Sequence, residues 1–533
     1  MNVLKHPSFF RPANHSSPSP PLTNPPPASR PSSSTGFERA ARPLNKLSLN
    51  GFRRSSPSPI VSMNNIPTTL VQDGSYLELL NLKLSEAVSR ALAQPSGPAA
   101  ANEQLLGKRP IPAGRGHALG SFIASELKAT QDSPHLHRAI IRSLHRPLSV
   151  LLTNLSAHLL PLISSPAFHA PPPSVQSPNP NSTQLHAIAI ATFVGELLET
   201  FDEFELGTDL DVRGDGLKSI REGLVSLINR VVGPMINAIR HELMPVLEAL
   251  ETQSYQQGTK AAPNTKGLPA HHPSIHVLQA TMPVYAKAIT RITTSAVSQT
   301  TLATFLISIV WRGLVALAHR PLVPTSPPTS PGLAPVALKK SRGATTPPLT
   351  PPPARFNIKL PPSRPPSPTH IIQPSAAADA RALFDLLNLL PRPVGSKESA
   401  RLAREVVDDA FEGLQALPDL LDAVHAVPAK ISSEERLDQV ARELDILATK
   451  VPLLIALPVV LQAPANGTSS VAVSSLIGLS VAQYRTECLS GFGRAEECAI
   501  TVAHRVQDVL SKNTDVHPVV SKWLDIEILE TSE

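Results

Sequence analysis

The sequence predicts an all-α protein, a helical bundle or irregular helical stack in two blocks, with a long unstructured N-terminal tail and a Pro-rich linker. Three observations carry this reading. Apolar residues recur at spacings of three and four, and Leu, Ala and Val supply most of them, while no stretch shows a convincing strand-period alternation. The 533 residues include 57 prolines, with only 4% aromatics, so part of the chain cannot bury a core. And the prolines crowd into a few places. Pro321–Pro374 holds 17 of them and no acidic residue; proline fixes φ and lacks the N–H that helices and sheets need, so an extended linker is expected there. The organisation follows: a disordered basic tail over 1–67, a helical domain over 68–320 with flexible inserts near 164–183 and 252–273, a disordered basic linker over 321–375, and a C-terminal helical domain over 376–533.

In order along the chain, Leu77, Leu80, Leu84, Val88 and Leu92 give an amphipathic helix that Pro95 ends. A short helix is expected over Ser121–Ala129. Ser133-Pro134 offers an N-cap followed by proline at the first helical position, and that helix should reach about Ile163, kinked or split at Pro147 and Pro161. Another starts at Gln184 and breaks at Gly207. The next starts near Asp215 on the stripe Leu217, Ile220, Leu224, Leu227, Ile228 and Val231, with Pro234 and Pro245 interrupting its later part. His276–His319 reads as one long apolar helix, bent at Pro283 and stopped by Pro321. Beyond the linker, helices are expected over Ala376–Leu390, over Lys397–Val427 with a break near Pro418, and from Ser432-Ser433-Glu434-Glu435 onward. Ser469–Lys512, a long run without proline, steps apolar residues by three or four throughout and reads as one packed helix. A last short helix follows His517-Pro518. Whether the two blocks pack together stays open, because loop-closure cost grows slowly with length.

The net charge of +6 and pI near 9.3 hide a partition. Met1–Leu70 has eight basic residues against Glu38 alone, and Pro321–Pro374 has six unopposed, which leaves the remainder at −7. Positive charge on tails rather than on a folded groove argues against specific nucleic-acid recognition and allows salt-sensitive attraction to acidic surfaces. The two cysteines, Cys488 and Cys498, would lie about 15 Å apart along one helix, beyond the roughly 7 Å that a disulfide tolerates between Cα atoms. They read as reduced core residues of a cytoplasmic or nuclear protein. The start, MNVLKHPSFFRP, lacks an apolar signal core. The Arg- and Ser-rich, acid-poor first sixty residues have transit-peptide composition, but their prolines oppose the amphipathic helix organelle import needs. Met63 is an alternative start.

No catalytic constellation stands out, and no cofactor or metal is expected. Asp211-Val-Arg-Gly-Asp215 through Glu222 approaches an EF-hand loop, with Asp211, Asp215 and Glu222 at positions 1, 5 and 12. Arg213 at position 3 puts a cation where a ligand belongs, so a helix–loop–helix turn is the plainer reading. His241-Glu242 lacks the second histidine of a zinc helix. His135, His137 and His145, and His271, His272 and His276, read as solvated. Gly114–Ser121 is glycine-rich before a helix, as phosphate loops are, without the strand such loops follow. Thr301–Ala318 is long enough to span a bilayer; Arg312 inside it costs about 2.5–3.5 kcal/mol at the membrane centre, which favours a buried helix.

The unstructured segments carry the strongest regulatory signal. Ser56, Ser58, Ser326, Ser330, Thr346, Thr350 and Ser367 precede proline, the pairing a proline-directed kinase requires, and each phosphate adds about −1.5 to −2 charges. Lys339, Lys340 and Arg342 form an import-type patch. Residues 359–365 fit a ligand for an SH3-type groove. The expectation is a non-enzymatic scaffold or adaptor that binds protein partners through apolar helix faces and is regulated by phosphorylation. The alternatives are a peripheral membrane or trafficking factor using the basic tails and the 301–318 helix, and an enzyme with no recognisable motif.

Overall fold

The structure, a computed structural model, describes residues 68–96, 103–208, 216–252, 271–321, 375–395, 398–430, 434–463, 471–512 and 517–532. The chain divides into two units, Met1–Tyr76 and Leu77–Glu533. Among the described residues the first holds only the opening of α1 (Thr68–Leu92).

The second unit continues with α2 (Arg115–Ala129), α3 (Pro134–Ile163), α4 (Ser182–Glu203), α5 (Leu217–Glu248), α6 (Pro273–Ile292) and α7 (Ala296–Ala318). After the proline-rich stretch come α8 (Ala376–Leu387), α9 (Glu398–Lys430), α10 (Glu434–Ala448), α11 (Leu453–Val460), α12 (Val473–Ile477), α13 (Val481–Glu487), α14 (Phe492–Leu510) and α15 (Pro518–Ser532). The fold is all-α. Its one strand-like pairing among the described residues is a single bridge between Leu105 and Lys108, closed by Leu106 and Gly107 at positive φ.

The helices stack as a series of neighbours. α2 lies on α4, α4 on α5, α5 on α7, α7 on α9, α9 on α10, and α10 on α15. The stripes that predicted them face inward: Leu217, Ile220, Leu224, Leu227, Ile228 and Val231 of α5 are all buried. α7 sits between α5 and α9, so both its faces need to be apolar, and it is buried along most of its length. Each fully buried Leu, Ile or Phe there contributes about 1.5–3 kcal/mol. Helices from both sides of 321–374 therefore share one core, which answers the question the sequence left open.

Several expected breaks are absent. α3 runs unbroken through Pro147 and Pro161, α5 through Pro234 and Pro245, and α9 through Pro418. Interior proline costs a hydrogen bond and about 3 kcal/mol, which the burial of the flanking residues offsets; Pro147 is itself buried against the core. The real breaks carry no proline. His276–His319 is two helices, α6 and α7, parted at Thr293–Ser295, where Gln299 Nε2 donates to the Thr293 carbonyl at 2.9 Å. Ser469–Lys512 is three helices: α12 ends on Gly478 at φ 76°, the left-handed conformation glycine adopts freely, and α13 and α14 part around Leu489–Gly491. The stripe survives these breaks because each new helix returns the same face to the core: Tyr484, Ala495, Val502 and Val506 are buried. Most of that stripe is core, as a packed helix requires; Val481 is exposed.

Helix starts follow local chemistry. Ser133 precedes Pro134 as expected, but its side chain makes no capping hydrogen bond. α4 opens with a full capping box between Asn181 and Gln184. In the preceding stretch 164–183, Asn181 Nδ2 donates to the Ala167 carbonyl at 2.7 Å, and Phe168 is buried.

Candidate functional site

Three polar or open features stand out in this core. The first is a buried carboxylate at the seam. Asp379, in the first turn of α8, is fully buried. Its Oδ1 accepts from the His272 backbone N–H at 3.0 Å and lies 3.1 Å from His271 Nδ1. Its Oδ2 accepts from Arg320 at 2.5 Å, and Arg320 is itself only 6% exposed. His272, 2% exposed, uses Nδ1 to accept from the Ser274 N–H and Nε2 to donate to the Thr252 carbonyl at 2.9 Å. That pattern defines a neutral imidazole, and burial lowers its pKa accordingly. Thr252, His271 and His272, Arg320 and Asp379 thus meet at one point. Both oxygens of the carboxylate are satisfied within the protein, and the cluster clasps the start of α8 to the end of α7 and the residues before α6.

The second feature is an open groove of about 770 Å³ between the end of α3 and α5. Phe168, His169, Val225, Ser226, Asn229 and Arg230 line it. Arg221 stands on its wall, held by Asp202 and by the Leu206 carbonyl at 3.2 Å. A smaller charged cleft of about 350 Å³ lies between α2 and α4, where Lys128 pairs with Glu203 at 2.8 Å and His117 faces Glu199 at 3.6 Å.

The third is the start of α2, which begins at Arg115, six residues before the sequence placed it. The glycines of Gly114–Ser121 serve backbone conformation and packing. Gly114 is left-handed at φ 87°, and a Cβ on Gly116 or Gly120 would collide with Phe193 or Thr200 of α4 at 2.2 or 2.1 Å. The exposed N–H groups of this helix end do bind an anion, an internal one. Glu196 of α4 accepts from Gly114 at 2.8 Å and Gly116 at 2.9 Å, with His117 at 3.4 Å. A carboxylate suits a helix N-terminus for the same reason a phosphate does.

The other sequence candidates fall as follows. Glu222 lines the groove; Asp211 and Asp215 lie outside the described residues. Among the described residues no group of three or more His, Cys, Asp or Glu is placed to hold a metal. Ser56, Ser58, Ser326, Ser330, Thr346, Thr350, Ser367, Lys339, Lys340, Arg342 and the 359–365 motif also lie outside them. His272 was expected to be solvated and is buried instead, because it plugs the clasp. α7 is long and apolar enough to cross a membrane, but 72% of its apolar window is buried in the protein, and Arg312 pairs with Glu248. The cysteines do not share a helix: Cys488 closes α13 and Cys498 lies on α14, and the turn between brings them together. Sequence reasoning missed Asp379 and Glu196. Glu196 left a trace, an acid set among Phe193, Val194, Leu197, Leu198 and Phe201, where its neighbour Glu199 faces out and Glu196 is buried.

No family model matches this chain, and no curated protein matches it. Among solved structures, the chain is similar to the C-terminal domain of the exocyst subunit Sec6p, at 8% identity over 87% of this chain and 98% of that one, with a TM-score of 0.35. A likeness that weak bears on neither the function nor the partners of this protein.

Proposed function

We propose that this chain is a non-enzymatic helical scaffold, and that the α3–α5 groove takes a helix from a partner protein. The observation that carries this reading is the groove itself: open, mostly apolar, about 770 Å³, and set on helices whose other faces are fixed in the core. Val225 and Phe168 offer apolar contact, and Arg230 is exposed at the edge. An amphipathic helix with an acidic residue toward Arg230 fits that chemistry. Val225 is only half-buried, so Val225→Glu should leave the fold intact. Proximity labelling with wild type, Val225→Glu and Arg230→Glu tests it: both variants should lose the same subset of partners while melting as wild type does. Retention of every partner by both would refute the groove.

A second reading is a peripheral membrane or trafficking factor. The charge partition favours it, since the excess positive charge lies in Met1–Leu70 and Pro321–Pro374 while the rest of the chain is acidic. The basic segments would meet anionic lipid, each Lys or Arg near the surface contributing about 1 kcal/mol. α7 is not the anchor in this reading, because it is core. Flotation with phosphatidylserine vesicles at physiological salt separates the two: the scaffold stays at the bottom of the gradient.

A further inference from the structure

The corner between α13 and α14 brings together the chain's two cysteines. Cys488 is 6% exposed at the end of α13. Cys498, the seventh residue of α14, is partly exposed, and its thiol donates to the Glu487 carbonyl at 3.7 Å. That contact sets the Cys498 sulfur against the peptide that leads into Cys488, so the two thiols are neighbours. Arg494 Nε donates to the same Glu487 carbonyl at 2.6 Å, which sets its guanidinium beside both sulfurs. The corner also joins the two blocks: the Leu489 carbonyl accepts from Trp311 Nε1 at 2.8 Å, and the Phe492 ring lies 4.5 Å from the Trp311 ring.

We propose that Cys488 and Cys498 form a reversible dithiol pair that a peroxide oxidises to a disulfide, stapling α13 to α14 beneath Trp311. Cys498 reacts first, because it is the accessible one. Its thiolate attacks one peroxide oxygen, the O–O bond breaks, and hydroxide leaves, giving the sulfenic acid. The Cys488 sulfur then displaces hydroxide from Cys498, which takes up the Cys488 proton and leaves as water. In sum two thiols give up two electrons and two protons, and one hydrogen peroxide becomes two waters. Burial pushes the Cys488 thiol up to about 11, which keeps it a resolving thiol and not the first nucleophile. A dithiol reductant reverses the bond.

The test uses the purified full-length chain, reduced, treated with hydrogen peroxide and quenched with N-ethylmaleimide before unfolding. Trypsin cuts at Arg485, Arg494 and Arg505, so the disulfide appears as peptide 486–494 linked to 495–505, lost on adding dithiothreitol. The oxidised chain should melt about 3 °C higher than the reduced one. In Cys488→Ser, dimedone should trap a sulfenic acid on Cys498; in Cys498→Ser, Cys488 should survive the same peroxide unchanged. The pair is overturned by unlinked, separately oxidised cysteines in the wild type, by a Cys498-linked dimer of two chains, or by equal peroxide loss of Cys488 in Cys498→Ser. The wild-type map needs no variant to fold.

Discussion

Arg320 donates to Asp379 at 2.5 Å with both side chains buried, and the two residues stand on opposite sides of the stretch 321–374. The ion pair therefore closes the base of that stretch and fixes the end of α7 to the start of α8. A pair removed this far from water stabilises little by its Coulomb attraction alone, because desolvation offsets it. Its value lies in the added hydrogen bonds from His272 N and His271, which leave no charge unmet. Asp379→Ala should then cost about 3–5 kcal/mol, since it strands Arg320 in the core. The double replacement Asp379→Leu with Arg320→Met should recover most of that loss. Denaturant midpoints for the three chains check it; a double variant no more stable than the single one would contradict the clasp.

Much of this architecture can be read from spacing, and the rest fails for identifiable reasons. The inward stripe of α5 is legible because 3.6-residue periodicity is set by what a core must bury. Proline misleads because its penalty is local and fixed, while the burial holding α5 together around Pro234 and Pro245 is not visible in the neighbouring residues. The break at Leu489–Gly491 is hidden for the opposite reason: a chain that turns and repacks on the same core keeps its stripe. The clasp is the least legible feature, because Asp379 reads as an ordinary first-turn acid until the fold brings Arg320 to it. Glu196 lies between these cases, since an acid on an apolar face announces a partner without naming it.

Glu196 holds the N-terminus of α2 with two oxygens on three N–H groups. Glu196→Gln keeps the shape, loses the charge, and turns one end of the side chain into a donor facing donors. The expected loss is about 1.5–3 kcal/mol, the range for hydrogen bonds to a charged group. Gly116→Ala should be at least as harmful, because its Cβ would meet the Phe193 carbonyl at 2.2 Å, and a backbone carbonyl cannot rotate away. Hydrogen exchange should show early loss of protection in α2, with α9 and α10 unchanged. Uniform loss across the chain would mean the staple is not local.

Acid should weaken the fold through three histidines. Burial lowers the pKa of His272, His319 and His517 from the ordinary value of 6.5. Below pH 6.5 the unfolded chain binds protons that the folded one refuses, so stability is full above that value and falls as pH drops through the lowered folded pKa values. His272 is the sharper case, since protonating Nδ1 destroys its acceptance from Ser274 N–H. His272→Gln should flatten the acid limb of a stability–pH curve, and an unchanged limb would remove His272 from the account.

The seam between the blocks carries polar contacts besides the clasp, and Trp311 makes one of them. Its Nε1 donates to the Leu489 carbonyl and its ring covers Phe492, while elsewhere along the seam Gln299 accepts from the Val394 N–H at 3.0 Å, Gln462 donates to the Ala318 carbonyl at 3.1 Å, and Arg485 pairs with Glu251. Trp311→Phe keeps most of the apolar contact and leaves a buried carbonyl unpaired, which should cost about 1–3 kcal/mol. Trp311→Ala removes the ring as well and should cost about 3–5 kcal/mol. Because α7 belongs to the core of both blocks, the two should unfold together. Hydrogen exchange on α5 and on α14 should lose protection by the same free energy in Trp311→Ala. Loss confined to α14 would mean that the C-terminal block opens independently and that the shared core does not couple them.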